Sequence, residues 1–282
     1  MKVGFNMLLW TTHVTEDRFH LFKTLKKTGY DGIEIPMFEG EPAHFQKIGR
    51  ALRDEGLEAK GITVMPSAAH DAISPDAEAR AGAVRHVGWA TDCTEALGGR
   101  LLSGPMHQAL GRFSGGGRTD EEWARGVETL QEAADYAAKA GVALSIEPLN
   151  RFECYFLNTV ADAARFTRDL DRPNVGVLYD TFHANIEEKD PVGVIAPHLD
   201  AINHVHVSAN DRGTPGKDHV PYLDTFRALK GGGYDGWLTI EAFGRALPDL
   251  AAATRVWRDF FPEPEEVYAF GHKHIRDTWA AA

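Results

Sequence analysis

Val142-Ala143-Leu144-Ser145-Ile146-Glu147-Pro148-Leu149-Asn150-Arg151-Phe152-Glu153 is an apolar run closed by one carboxylate, with a second carboxylate six residues further on. Alternate residues of an extended segment share a face, so Ala143, Ser145 and Glu147 lie together while Val142, Leu144 and Ile146 face the other way, toward a helix. An ionisable residue at the last inward position of a buried strand is a candidate site. The neighbouring segments show whether Glu147 stands alone.

Short apolar runs recur along the chain with helix-patterned segments between them. Val3 to Leu9, Gly32 to Ile35, Leu57 to Met65 and Arg100 to Gly104 precede the Glu147 strand; Asn174 to Asp180, Ile202 to Val207 and Trp237 to Glu241 follow it. Between them lie helices stopped near Gly29, running from Ala43 to Glu55, opened by Ser74-Pro75 and closed at Gly98-Gly99, stopped at Gly141, and running from Thr159 to Leu170. A last helix is expected to carry Leu250, Val256, Trp257 and Phe260. Eight strand-then-helix units without a linker predict an α/β chain folded as a single (β/α)8 barrel, the TIM-barrel architecture, over residues 1–282 with a C-terminal helical extension. Tyr268, Phe270, Ile275 and Trp279 make that extension more apolar than a tail requires. They are expected to pack on the barrel or on another subunit, and a homo-oligomer, dimer or tetramer, is the expected assembly.

Catalytic groups of such barrels project from the C-terminal ends of the strands. Four residues satisfy that rule: Glu147, Asp180, His206 and Glu241, with Gly176 and Leu178, Ile202 and His204, and Trp237 and Thr239 sharing their inward faces. A lone strand-end glutamate is as readily half of a structural ion pair. Four matched strand ends point to a site. Three carboxylates at one mouth repel one another unless a cation neutralises them, and an oxygen-rich set with one imidazole and no thiolate suits Mn²⁺, Co²⁺ or Mg²⁺ better than structural zinc. One divalent metal per chain is expected, Mn²⁺ first. A metal chelating a carbonyl and its neighbouring hydroxyl acidifies the adjacent C–H, and a glutamate on each side of that carbon allows removal of the proton from one face and its return to the other. Such a sequence inverts a stereocentre.

Composition narrows the partners. At 282 residues, 43% hydrophobic and a formal charge of −11, the chain has ample core and no basic track for nucleic acid or basic helix for a membrane surface. Cys93 and Cys154 make no disulfide framework, no signal peptide or membrane-length segment is visible, and a cytoplasmic location is expected.

The runs Glu147 to Glu153, Tyr179-Asp-Thr-Phe-His-Ala-Asn-Ile-Glu-Glu188, His204-Val-His206 with Asn210-Asp-Arg212, and Gly233-Tyr-Asp-Gly236 leading to Glu241 resemble the D-tagatose/D-allulose (D-psicose) 3-epimerase family within the xylose-isomerase-like barrels. The likeness is dense from Val142 to Phe243 and looser before it. It implies that Glu147, Asp180, His206 and Glu241 bind a divalent metal, that Glu147 and Glu241 double as the acid-base pair at carbon 3 of a small-molecule ketose, and that Glu153, His183 and Arg212 hold the substrate's carbonyl end. The chain departs from the family at Gly61-Ile62-Thr63 and Gly104-Pro105-Met106-His107, where the far end of the sugar is gathered.

Two alternatives use the same barrel. An isomerase, dehydratase or lyase acting on a sugar or inosose keeps the metal and both glutamates. An endonuclease IV-like enzyme would add His70, His107, His183 and the pair Asp218-His219 as ligands for three zinc ions, against an acidic surface unsuited to phosphate backbones. His204 is expected as a hydrogen-bonded residue one layer below His206, Glu34 as a supporting group at the end of strand two, and Trp10 as an apolar wall of the pocket.

Overall fold

The computed structural model describes residues 1–282. Eight parallel strands close a barrel in sequence order, the last pairing with the first. They are β1 (Lys2–Asn6), β2 (Gly32–Pro36), β3 (Glu58–Ile62), β4 (Leu101–Gly104), β5 (Ala143–Ile146), β6 (Val175–Asp180), β7 (Ile202–Val207) and β8 (Trp237–Ile240). Ten helices surround them: α1 (Phe19–Thr28), α2 (Pro42–Asp54), α3 (Ala77–Leu97), α4 (Asp120–Lys139), α5 (Val160–Leu170), α6 (Thr181–Glu187), α7 (Ile195–His198), α8 (Tyr222–Gly231), α9 (Pro248–Thr254) and α10 (Gly271–Ala281).

Local chemistry sets the boundaries. The Thr119 hydroxyl and Glu122 carboxylate cap α4 reciprocally, and Gly29, at φ +112°, ends α1 in a left-handed turn that a side chain would strain. Some boundaries differ from the sequence expectation. β1 stops at Asn6, whose side chain accepts from the Leu8 N–H and turns Met7–Leu9 into a tight helical turn. β3 stops at Ile62, short of Met65. Ser74-Pro75 precedes α3 instead of opening it, because Asp76 supplies the cap to the Glu78 N–H. The helix expected to run through Phe260 ends at Thr254, where Arg255 takes a left-handed conformation; Val256 and Phe260 then pack beside Leu8 and Phe243, while Trp257 is exposed.

The main apolar core lies between barrel and helices. Val3, Phe5, Ile33, Leu102, Leu144, Ile146, Val177, Val205, Val207, Leu238 and Ile240 join it from the outward faces of the strands. The lumen is polar by contrast. Asn6, Glu34, Lys60, Ser103, Ser145, His204 and Thr239 fill it, all at most 2% exposed, with Ile62 and Leu178 buried outside the main apolar cluster. One alternation breaks: Val177 pairs with Ile202 and Leu178 with His204, so Asn203 is a bulged residue of β7. Its amide enters the lumen to accept from Ser145 Oγ at 2.5 Å and donate to the Leu144 carbonyl, while Ile202, expected inward, joins the outer core.

The C-terminal segment packs on the barrel's own helices. Val267 and Ile275 enter the main core, Arg276 pairs with Asp31 at 2.6 Å, and Tyr30 donates to the Tyr268 carbonyl.

Candidate metal centre at the mouth of the barrel

β5, β6, β7 and β8 are consecutive neighbours, so the residues at their C-terminal ends share one arc of the rim. Ligand-type atoms of Glu147, Asp180, His206 and Glu241 all lie within 4.8 Å of one another, and each residue is at most 3% exposed. Glu147 follows the last residue of β5 and precedes Pro148, and its N–H is fixed by the Gly104 carbonyl at 3.1 Å. Gly104 has φ +124°, and a Cβ there would lie 2.1 Å from the Thr63 carbonyl oxygen; only glycine lets β3 and β4 approach so closely beside the site. Asp180 has a double task. One carboxylate oxygen caps α6 by accepting from the Phe182 N–H at 2.7 Å, and the other faces the cluster.

The chemistry of the donor set fits a divalent cation. His206 Nε2 donates to Glu34 at 2.8 Å, which leaves Nδ1 as the ring's second nitrogen, 3.5 Å from Glu241 and buried without a hydrogen-bond partner. Glu34 accepts four hydrogen bonds, from Asn6 at 2.9 Å, Ser103 at 2.9 Å, His204 at 3.0 Å and His206. That is the carboxylate–histidine support expected beneath a metal ligand. Glu34 therefore sits inside the barrel beneath the rim, deeper than the strand-end position expected from its sequence, because two further residues, Ile35 and Pro36, complete β2. His204 takes the supporting place expected for it.

Burial raises the Glu147 carboxyl well above its ordinary range, with the charges of Glu241 and Asp180 acting in the same direction. Burial likewise raises Asp180, against the opposing charge of Arg212. For Glu241 burial pushes upward too, but His206 and Arg212 outweigh it and hold the carboxyl below its usual value. Burial alone would discharge His206; the carboxylates of Glu34 and Glu241 keep its proton affinity well above that of free imidazole. His204 is pushed down to about 4 by burial, against its bond to Glu34.

Glu153, His183 and Arg212 converge on the same mouth. Arg212 Nη1 donates to Glu241 at 2.8 Å and Asp180 at 3.0 Å, and its guanidinium lies 3.8 Å from the Phe182 ring centroid. His183 Nδ1 lies 2.9 Å from the Asn150 N–H, and Nε2 lies 3.0 Å from Arg212 Nη2 and 3.6 Å from Glu147. Burial, with Arg212 and His206 close by, holds His183 well below its usual range and keeps it neutral. Glu153 accepts from the Asn150 side chain at 2.7 Å and is raised by burial despite the charge of Arg212.

Asn6, Asn150 and Ser103 were not singled out in the sequence. Asn6 had a legible signal, since it occupies the last inward position of β1, and it donates to both Glu34 and Glu241. Asn150 lies in the turn after β5 and had no periodicity to mark it. Of the additional ligands of a three-zinc site, His183 faces the cluster and the others do not converge on it. His70 contacts Ser67 and the His86 ring, His107 bonds the Glu147 backbone carbonyl, Asp218 accepts from Tyr222, and His219 is exposed. Trp10 lines a rim cavity of about 580 Å³ with Phe260 and Phe261, between the segments that follow β1 and β8. No helix is long and apolar enough to cross a membrane.

Comparison with known proteins agrees with this geometry. A family model described as xylose isomerase-like TIM barrel matches residues 22–277. A Synechocystis sp. protein named "Probable ketose 3-epimerase" is 33% identical, over 99% of this chain and 97% of its own. The ketose 3-epimerase of Arthrobacter globiformis is 30% identical, over 100% of this chain and 98% of its own. The crystal structure of D-allulose 3-epimerase from Methylomonas sp. in complex with D-allulose matches with a TM-score of 0.92 at 29% identity, covering 99% of this chain and 97% of that one. The chain belongs to the ketose 3-epimerase family of xylose isomerase-like TIM barrels.

Proposed function

We propose that the protein is a metal-dependent epimerase that inverts carbon 3 of a free ketose by deprotonation and reprotonation. The observation that carries this reading is the pair of buried glutamates, Glu147 and Glu241, at the two ends of one arc, with Asp180 and His206 between them. Glu147, Asp180, His206 and Glu241 would hold the ion, with Mn²⁺ as our assignment and Co²⁺ or Mg²⁺ as substitutes; when bound, it supplies positive charge that stabilises the oxyanion developing as the C3 proton leaves.

The chain's own residues divide the remaining work. Glu241 is held by Arg212 and Asn6 in a fixed orientation, as a base needs; the Glu147 carboxylate makes no hydrogen bond within the protein and faces His183 at 3.6 Å. One of the two takes the proton from one face of carbon 3 and the other delivers a proton to the opposite face, the roles exchanging with the direction of reaction. His183 and Arg212, whose guanidinium lies 3.0 Å from His183 Nε2, would hold the two oxygens at the carbonyl end, and Glu153 would complete that wall through Asn150. Burial of the whole group excludes water from the carbanionic step.

A homo-oligomer, dimer or tetramer, is part of the same reading. Leu110, Phe113 and Phe152 are exposed on the segments after β4 and β5, which are tied together by the Gly111 N–H and the Glu153 carbonyl. A cytoplasmic location is supported by two buried, unpaired cysteines. The test is product analysis by chromatography after incubating Mn²⁺-loaded protein with D-fructose, D-allulose, D-tagatose and L-ribulose. A C3 epimer from at least one of them is expected. An aldose or a dehydrated product instead would move the assignment to an isomerase or dehydratase.

A further inference from the structure

The end of the barrel opposite the glutamates holds a second cavity, of about 490 Å³, at the N-terminal ends of β3, β4, β5 and β8. Lys60, Trp237, Leu97, Leu101, Arg53 and Arg100 line it. Lys60 is 2% exposed, and its ammonium donates to Thr239 Oγ1 at 2.8 Å and lies 3.7 Å from the centroid of the Trp237 ring. Its third N–H has no acceptor in the protein.

Lys60 makes no direct ion pair; Glu34 and Glu58 act on its charge only from a distance. Glu58, the one carboxylate lining the cavity, pairs with Lys2 at 2.6 Å, and the nearby Glu34 is taken up by Asn6, Ser103, His204 and His206. Arg53 lies against the C-terminal turn of α3 at Gly98, and Arg100 donates only to the Ala140 carbonyl, at 3.3 Å; neither makes an ion pair. A dry, unpaired ammonium costs free energy, and burial lowers the Lys60 pKa to about 8. Three cations around one cavity also stand out in a chain whose formal charge is −11.

We propose that this cavity is a binding site for a small organic oxyanion, a carboxylate or phosphate ester with a flat or apolar body. Its charge would be met by Lys60, Arg53 and Arg100, and its body would lie on Trp237, Leu97 and Leu101. The volume is within the range of small-molecule sites, and the lining combines an apolar wall with a few convergent polar groups. The proposal is independent of the epimerase reading, because none of these residues reaches the catalytic mouth.

Isothermal titration of Mn²⁺-loaded protein with phenyl phosphate and, separately, benzoate tests it, the two probes distinguishing phosphate from carboxylate. One-to-one binding of at least one probe is expected with a Kd of about 1 mM or tighter. Arg53→Ala and Arg100→Ala, both at the exposed rim, should each weaken it by about tenfold, the effect of losing one charge-assisted hydrogen bond, with turnover of the ketose unchanged. Lys60→Met should abolish it. Absence of binding by either probe would overturn the proposal, and so would an affinity unchanged in both arginine variants, which would place the probe elsewhere on the protein.

Discussion

Glu34 is the residue whose loss should do most damage without touching the substrate. Its four hydrogen bonds, at 2.8 to 3.0 Å, use all of the carboxylate's accepting capacity, and two of them fix the protons of His204 and His206 on Nε2. Glu34→Gln replaces one oxygen by an NH₂ group that can only donate. Placed opposite His206, that group forces the His206 proton onto Nδ1, the nitrogen that faces Glu147, Asp180 and Glu241. Placed opposite His204, it forces that ring to change tautomer and removes the negative charge that makes His206 a strong donor to a metal. Either way the centre weakens. Losing such a supporting carboxylate lowers metal affinity by about 10- to 100-fold, or roughly 1.4 to 2.7 kcal/mol. Mn²⁺ affinity would be read by titration calorimetry and by the EPR signal of free Mn²⁺, with circular dichroism as a check on folding. A folded Glu34→Gln protein that binds Mn²⁺ within about twofold of the native affinity would refute the reasoning.

Other variants probe other parts of the account. Lys60→Met removes a buried charge whose pKa in the folded protein, about 8, lies below the ordinary lysine value of 10.5. Between those values the unfolded chain holds more protons than the folded one, so native stability rises with pH across that window; the advantage of Lys60→Met seen at pH 7 should shrink by about 3 kcal/mol by pH 10.5 in denaturant titrations. Gly104→Ala should destabilise the protein by about 2 kcal/mol or more in the same assay, since it combines a strained φ with a clash against the Thr63 carbonyl. Arg212→Met leaves Asp180 and Glu241 without their guanidinium. The chelator-treated variant should lose about 3 to 5 kcal/mol of stability, and Mn²⁺ should restore much of it by supplying the missing charge.

The strand-end rule made the barrel and its four candidate ligands legible, because each residue closes an apolar run at a position where alternation points inward. The same rule reaches Asn6, but an asparagine at a strand end carries less electrostatic signal than a carboxylate. Depth was harder to read. Glu34 and Lys60 look alike in sequence, each a charged residue within a short strand, yet one braces two histidines and the other stands unpaired at the opposite end of the lumen. The bulge at Asn203 was invisible because Ile202, His204 and His206 alternate as a regular strand would. Helix α9 failed for a similar reason: Leu250, Val256 and Phe260 suit a helical stripe, but a left-handed Arg255 breaks the run. The loops after β3 and β4, where the family resemblance puts the far end of the sugar, have a shape that no periodicity specifies.

The central claim is proton exchange at carbon 3 between two glutamates. NMR of the Mn²⁺-loaded protein with a panel of free ketoses in D₂O measures it directly. Deuterium should enter at carbon 3 as the epimer appears, and Glu147→Gln and Glu241→Gln should each abolish epimer formation while leaving the fold intact. Epimerisation without deuterium at carbon 3, or epimer formation undiminished in either variant, would contradict the account.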